Sequence, residues 1–298
     1  MFAERLTGRV AARESQIVLG LDPDPARLWP EALEHAPATG TAARRAAAAV
    51  LAHCAALIDA AGPACVAVKP QLACFERLGA DGWATLAATV EHARAAGLLV
   101  IADAKRGDVG VSAAAYAQAL VGSTPTPFGE VVGLGVDAFT ANPLLGIDAL
   151  EPLVDAARAA DAGIFVLVRT SNPGAADVQD LALAGGGSVG ERLAAIVARL
   201  AGPGDGLSEI GAVVGATAPE HLARMRELMP RAPFLLPGIG AQGGRVEDLA
   251  AAFAAGRAGG LVSASRSIAH AHEQGAGSPR DAARAEAERL RALAWSLV

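Results

Sequence analysis

Short apolar runs and longer alanine-rich stretches alternate from one end of the chain to the other. Residues 17–21 form an apolar run closed by Asp22-Pro23-Asp24-Pro25, a turn signal. Residues 41–61 predict a helix, and Cys65-Val66-Ala67-Val68-Lys69 predicts the strand after it. A helix over 81–96, closed by Gly97, leads into a third apolar run that finishes at Lys105. Helix 112–120, strand 136–140 before Ala141-Asn142-Pro143, helix 147–160, strand 164–168 and helix 188–200 continue the pattern. Then come strand 210–214, helix 219–229 with Pro219 in its first turn, strand 234–236, helix 245–255, strand 260–264 and helix 278–297.

Strict strand-then-helix alternation predicts an α/β fold with a parallel sheet covered by helices. Eight such units match the (β/α)8 TIM barrel, and an open doubly wound sheet is the structural alternative. No Ser/Gly-rich linker or shift in composition cuts the chain, so residues 1–298 are expected to form a single barrel domain.

Composition narrows the class further. The chain is 52% apolar but only 4% aromatic, which fits alanine-rich helices around a sheet and argues against disorder. A net charge of −6, with no basic cluster larger than Arg44-Arg45, gives no nucleic-acid surface. Cys54, Cys65 and Cys74 lack CxxC spacing and read as reduced thiols, Cys65 as a small core residue. Glu4 and Glu14 near the start argue against a targeting peptide, and the most apolar window, 46–58, is too short to span a bilayer. A cytoplasmic protein without a membrane partner is the expectation.

Only two of the 25 basic residues are lysine, and both end strands: Lys69 and Lys105. Where arginine serves every generic positive charge, the two exceptions mark places for a compact ammonium that can release a proton. Lys105 lies within Asp103-Ala104-Lys105-Arg106-Gly107-Asp108, between two carboxylates. In a barrel, functional groups gather at the C-terminal ends of the strands, and the polar residues here follow that rule. Asp22 ends strand 1, Lys69 strand 2, and Asp103 with Lys105 strand 3; Asn142 follows strand 4, Thr170-Ser171 strand 5 and Arg266 strand 8.

After strand 7, Gly238-Ile239-Gly240-Ala241-Gln242-Gly243 fits GxGxxG. Only 32 residues follow Arg266, too few to complete a dinucleotide domain, so this loop with one arginine suits a single phosphate. Gly133-Leu134-Gly135 reads as a turn into strand 4. The expected centre is Lys69, Asp103, Lys105 and Asp108, two ammoniums and two carboxylates that can all stay ionised. Its bland counterpart is an ion-pair network tying strands 2 and 3 together.

Taken together these motifs resemble the longer variant of the orotidine 5′-phosphate decarboxylase family. The resemblance rests on Leu19-Gly20-Leu21-Asp22-Pro23-Asp24-Pro25, Val68-Lys69-Pro70-Gln71, Asp103 to Gly110, Arg169-Thr170-Ser171-Asn172-Pro173-Gly174, the loop 237–244 and Ser265-Arg266-Ser267. It implies cofactor-free, metal-free decarboxylation of orotidine monophosphate to uridine monophosphate in pyrimidine synthesis. By position, Lys105 would protonate C6, with Asp103 beside the departing carboxylate. Asp22 and Lys69 would hold ribose hydroxyls, Ser171 the pyrimidine edge, and Gln242 and Arg266 the phosphate. Thr170, Gly243 and Ser112, the last standing where many members have threonine, complete the implied substrate-binding set. Asp108 would reach the neighbouring subunit's site, which implies a homodimer.

Three rivals differ in what they require. Sugar-phosphate decarboxylases and aldolases share D-x-K-x-x-D but use magnesium and are not expected to carry the strand 2 lysine. A Schiff-base aldolase needs a neutral Lys105, which the flanking carboxylates oppose. A nucleotide or sugar-phosphate sensor would bind without turnover. His270-Ala271-His272 lacks metal-pair spacing and reads as a solvated face, Gly185-Gly186-Gly187 as a loop before a cap at Ser188, and 280–291 as the exposed face of the last helix.

Overall fold

In the computed structural model, which describes residues 1–275 and 277–298, eight parallel strands close into a barrel. They are β1 (Ile17–Leu21), β2 (Ala67–Pro70), β3 (Leu99–Arg106), β4 (Ala138–Ala141), β5 (Gly163–Arg169), β6 (Ile210–Val214), β7 (Phe234–Pro237) and β8 (Gly260–Ala264). Each pairs with the next in sequence, and β8 pairs with β1 through Ile17↔Val262 and Val18↔Ser263. The expected (β/α)8 barrel is therefore the fold, and the open sheet is excluded. Seven of the expected helices sit outside the barrel as α-helices; the segment after β7, Val246–Ala255, is wound as a 3-10 helix instead.

Besides short helices at Pro30–Glu34, Leu72–Glu76 and Arg266–Ala269, a longer helix and a hairpin lie outside the expected alternation. A helix over Phe2–Arg13 precedes β1, and an antiparallel hairpin, Ser123–Thr126 with Gly129–Val132, follows the helix Gly110–Leu120. In the first helix Phe2, Leu6 and Val10 recur every fourth residue and are buried. Together with Val18, Ile101 and Phe165 they form the core inside the barrel. A larger core lies between the strands and the outer helices. Phe2 meets Phe165 edge to face at 6.1 Å, and a Cβ on Gly163 would stand only 2.4 Å from the Phe2 ring. Burying one such aromatic contributes roughly 1.5–3 kcal/mol.

One helical stretch among the described residues, Ala42–Ala64, is long and apolar enough to cross a membrane, which the shorter window 46–58 did not show. Here its Val50, Cys54, Leu57, Ile58 and Ala61 are buried in the outer core. Cys65 is buried as expected, and burial pushes its thiol up to about 12.

Candidate active site

The two lysines meet on one carboxylate. Lys69 Nζ donates to Asp103 Oδ2 at 2.6 Å, and Lys105 Nζ donates to Asp103 Oδ1 at 2.6 Å. Strand geometry explains the meeting. Asp103 and Lys105 both stand near the C-terminal end of β3, and the neighbouring β2 brings Lys69 alongside. The β3–β4 register shifts between Ala102 and Arg106, and Lys105 takes a left-handed backbone with φ 48°. Such a conformation costs about 1–2 kcal/mol in a non-glycine residue, and Thr140 helps hold it. The Thr140 hydroxyl accepts the Lys105 backbone N–H at 2.9 Å and donates to Asp103 Oδ1 at 3.0 Å.

Burial decides the electrostatics of this array. The Lys69 and Asp103 side chains are 8% and 9% exposed, whereas Lys105 is 45% exposed and presents its amine to the opening. Burial alone would raise the Asp103 pKa, but the charges of Lys69 and Lys105 and their hydrogen bonds outweigh it and hold the carboxyl well below the ordinary range. Burial likewise opposes the charge on Lys69, and the carboxylates of Asp103 and Asp22 more than offset it, raising its pKa. Gln71 Nε2 adds a hydrogen bond to Asp103 Oδ2 at 3.0 Å, so both carboxylate oxygens accept two donors.

These groups lie in a cavity of about 610 Å³ at the C-terminal ends of the strands. Asp22 borders it from the end of β1, Thr170 and Ser171 from the loop after β5, Gln242 from the loop after β7 and Arg266 from just after β8. The Ser171 hydroxyl donates to Gln242 Oε1 at 2.8 Å, joining two loops. Arg169 anchors its own loop through two 2.9 Å hydrogen bonds to Asp180. The glycine-rich loop folds back on itself, with Gly244 N–H donating to Gly238 O at 3.0 Å and Gly243 N–H to Gly240 O at 2.8 Å. Gly238 has φ 108°, and a Cβ there would stand 2.9 Å from Thr217 and 3.0 Å from Ser171, so no other residue fits without displacement. Gly243 lies in this loop but does not border the cavity.

Besides Gly243, the expected positions Asp108, Ser112 and Asn142 do not border this cavity. Asp108 lies outside the array within a single chain, and its carboxylate accepts the Val109 N–H at 2.8 Å. Within one chain the hydrogen-bonded array is Lys69, Asp103 and Lys105, and Asp22 is a second carboxylate that acts on Lys69. At Gly107 a Cβ would meet the Asn142 carbonyl at 2.5 Å, so the close approach of the chain after β3 to the chain after β4 requires glycine. Ser112 is exposed on the following helix and does not border the cavity. Asn142 accepts the Leu144 N–H at 3.0 Å and shapes a turn. Arg106 points outward, bonded to Glu76 and lying 5.3 Å from the Tyr116 ring.

Other groups emerged only with the fold. Gln71 and Thr140 had signals available, one two residues beyond Lys69 and the other the lone polar residue of Ala138–Ala141. His270 borders the cavity and His272 is half-buried, against the expected solvated face. The Trp29 ring packs edge-on against both His53 and His272. Arg27, from the loop after β1, borders the cavity beside Arg266.

The profile of the orotidine 5′-phosphate decarboxylase / HUMPS family matches residues 15–285. An orotidine 5′-phosphate decarboxylase of Deinococcus radiodurans is 43% identical, covering 97% of this chain and 96% of its own. One from Rhodopirellula baltica is 41% identical over 92% and 89% of the two chains. Among solved structures, Leishmania donovani OMP decarboxylase superposes with a TM-score of 0.72 at 32% identity, covering 98% of each chain.

Proposed function

The chain belongs to the orotidine 5′-phosphate decarboxylase / HUMPS family, and from that premise we propose how its residues carry out the reaction. It is an enzyme, a decarboxylase of pyrimidine synthesis and a carbon–carbon lyase. The substrate is orotidine 5′-monophosphate and the products are uridine 5′-monophosphate and carbon dioxide, with no cofactor or metal taking part. Residues 1–298 act as one catalytic domain in the cytoplasm.

The observation that carries this assignment is the Lys69–Asp103–Lys105 array within a cavity whose rim also holds Gln242 and Arg266. Loss of carbon dioxide leaves the bond pair on C6, with no conjugated sink, so stabilisation has to be electrostatic and already in place. Asp103, kept ionised by two lysines, stands beside the substrate carboxylate and disfavours its charge. Lys105, the more exposed ammonium, gives its proton to C6 as the C–C bond breaks and regains one from solvent. Lys69 and Asp22 hold the ribose, Thr170 and Ser171 the pyrimidine edge, and Gln242 and Arg266 the phosphate. Gripping a remote phosphate supplies binding energy that helps hold the strained arrangement at C6.

A homodimer supplies what one chain lacks. Asp108 of a second copy, with Ser112 beside it, brings a further carboxylate to the array. The surface around Asp108 supports this: Val109 is 54% exposed, Val111 88% and Leu144 78%, apolar area that a second copy would cover.

The test is the loss of orotidine monophosphate absorbance with purified protein and EDTA. Rapid decay is expected. No decay, with activity on a sugar phosphate once magnesium is added, would move the chain to the other branch of the family.

A further inference from the structure

Beside the phosphate end of the cavity, a second guanidinium is held by a carboxylate. Arg27 follows β1 and Arg266 follows β8, strands that pair with each other. Both side chains border the site and an adjoining outer cavity of about 860 Å³. Arg27 Nη2 donates to Glu273 Oε1 at 2.6 Å and Oε2 at 2.9 Å, and Glu273 Oε1 also lies 3.3 Å from His270 Nδ1. Arg266 has no salt-bridge partner among the described residues.

The charges do not match a phosphomonoester dianion as they stand. One arginine neutralises half of it, while Glu273 adds a negative charge within reach of the same rim. Arginine forks suit phosphate oxygens, and a dianion is a stronger acceptor than one carboxylate. Releasing Arg27 is cheap, because its pair with Glu273 is half in water, at 50% and 47% exposure. Glu273 keeps His270 as an alternative partner.

We propose that Arg27 is a second guanidinium for the substrate's phosphate, held by Glu273 until the phosphomonoester displaces that carboxylate. The proposal rests on the reaction assigned above and adds a binding residue to it. It makes Glu273 a competitor of the phosphate, which a purely structural clamp between the loops after β1 and β8 would not be.

The test is calorimetric titration of uridine monophosphate and of uridine into wild type, Arg27→Ala and Glu273→Gln. Arg27→Ala is expected to bind the nucleotide roughly tenfold to a hundredfold more weakly, the range of a charge-assisted hydrogen bond, with uridine unchanged. Glu273→Gln is expected to bind the nucleotide about threefold more tightly, the scale of an exposed ion pair. Equal weakening of nucleotide and nucleoside in Arg27→Ala, no change in either, or weakening by Glu273→Gln as well would overturn the proposal. A wild type without orotidine monophosphate turnover would sink the reaction itself; normal turnover with unchanged phosphate discrimination in Arg27→Ala would sink only this role.

Discussion

At one end of the barrel Phe2, Leu6 and Val10 close the interior against Val18, Ile101 and Phe165, while at the other the same strands finish in Lys69, Asp103, Lys105 and Thr140. The apolar end is cheap to build, since every buried atom gains from leaving water. The polar end works against the fold. It buries Lys69 and Asp103 and holds Lys105 in a left-handed conformation, costs offset by the mutual charges of the array and a nearly complete set of hydrogen bonds. A barrel can tolerate such an end because its stability is secured elsewhere.

That contrast can be broken most forcefully at Asp103. Asp103→Asn is expected to slow decarboxylation about a thousandfold or more. Because it leaves Lys69 buried without its partner, it should also cost roughly 3–5 kcal/mol of stability. Steady-state rates beside denaturant unfolding would show both losses together. Phe2→Ala should separate them: about 3–5 kcal/mol lost on unfolding, with the turnover number at low temperature unchanged. A large fall in turnover from Phe2→Ala would mean that the two ends are coupled.

Mixing Lys105→Ala with Asp108→Asn chains sharpens the contrast in another way, since it asks whether the polar end is complete in one chain. If Asp108 serves the neighbouring site, random exchange restores about a quarter of wild-type sites. Two inactive parents that stay inactive after verified exchange would place Asp108 in its own chain's site.

A smaller effect concerns acid. Burial, then the His270 and His272 charges, lower the His53 pKa to about 4, and its Nδ1 accepts the Trp29 backbone N–H. With a folded pKa below the unfolded value of about 6.5, its contribution is complete above pH 6.5 and is lost as pH falls towards 4, by roughly 3 kcal/mol. Asp103 acts in a different window. Its depressed pKa gives stability that is present above about pH 4 and lost only below it. Unfolding free energies between pH 7 and 4 should therefore fall in the wild type and flatten in His53→Gln; an unchanged slope in the variant would assign the loss to other groups.

The strand-helix rhythm and the placing of lysine made the barrel and half of its site legible before any coordinates. Lys69 and Lys105 stood out because arginine fills the other 23 of the 25 lysine and arginine positions. What stayed hidden depends on closure. The stripe of Phe2, Leu6 and Val10 has helical spacing, but the floor it covers exists only once β1 meets β8. Thr140 and Gln71 are ordinary polar residues until β3 lies between their strands. Gly107 packs on Asn142, a contact 35 residues apart in the chain that no local pattern records. His270 and Arg27 belong to loops after β8 and β1 that only the closed barrel makes neighbours.

The most direct measurement compares orotidine monophosphate decay, in the presence of EDTA, between wild type and Lys105→Ala, with uridine monophosphate affinity measured on both. Rapid decay in the wild type and a loss of about a thousandfold or more in the variant, with the nucleotide still bound, is the predicted result. Comparable decay in the variant would contradict the assignment of the proton to Lys105 and reduce the array to a tie between β2 and β3.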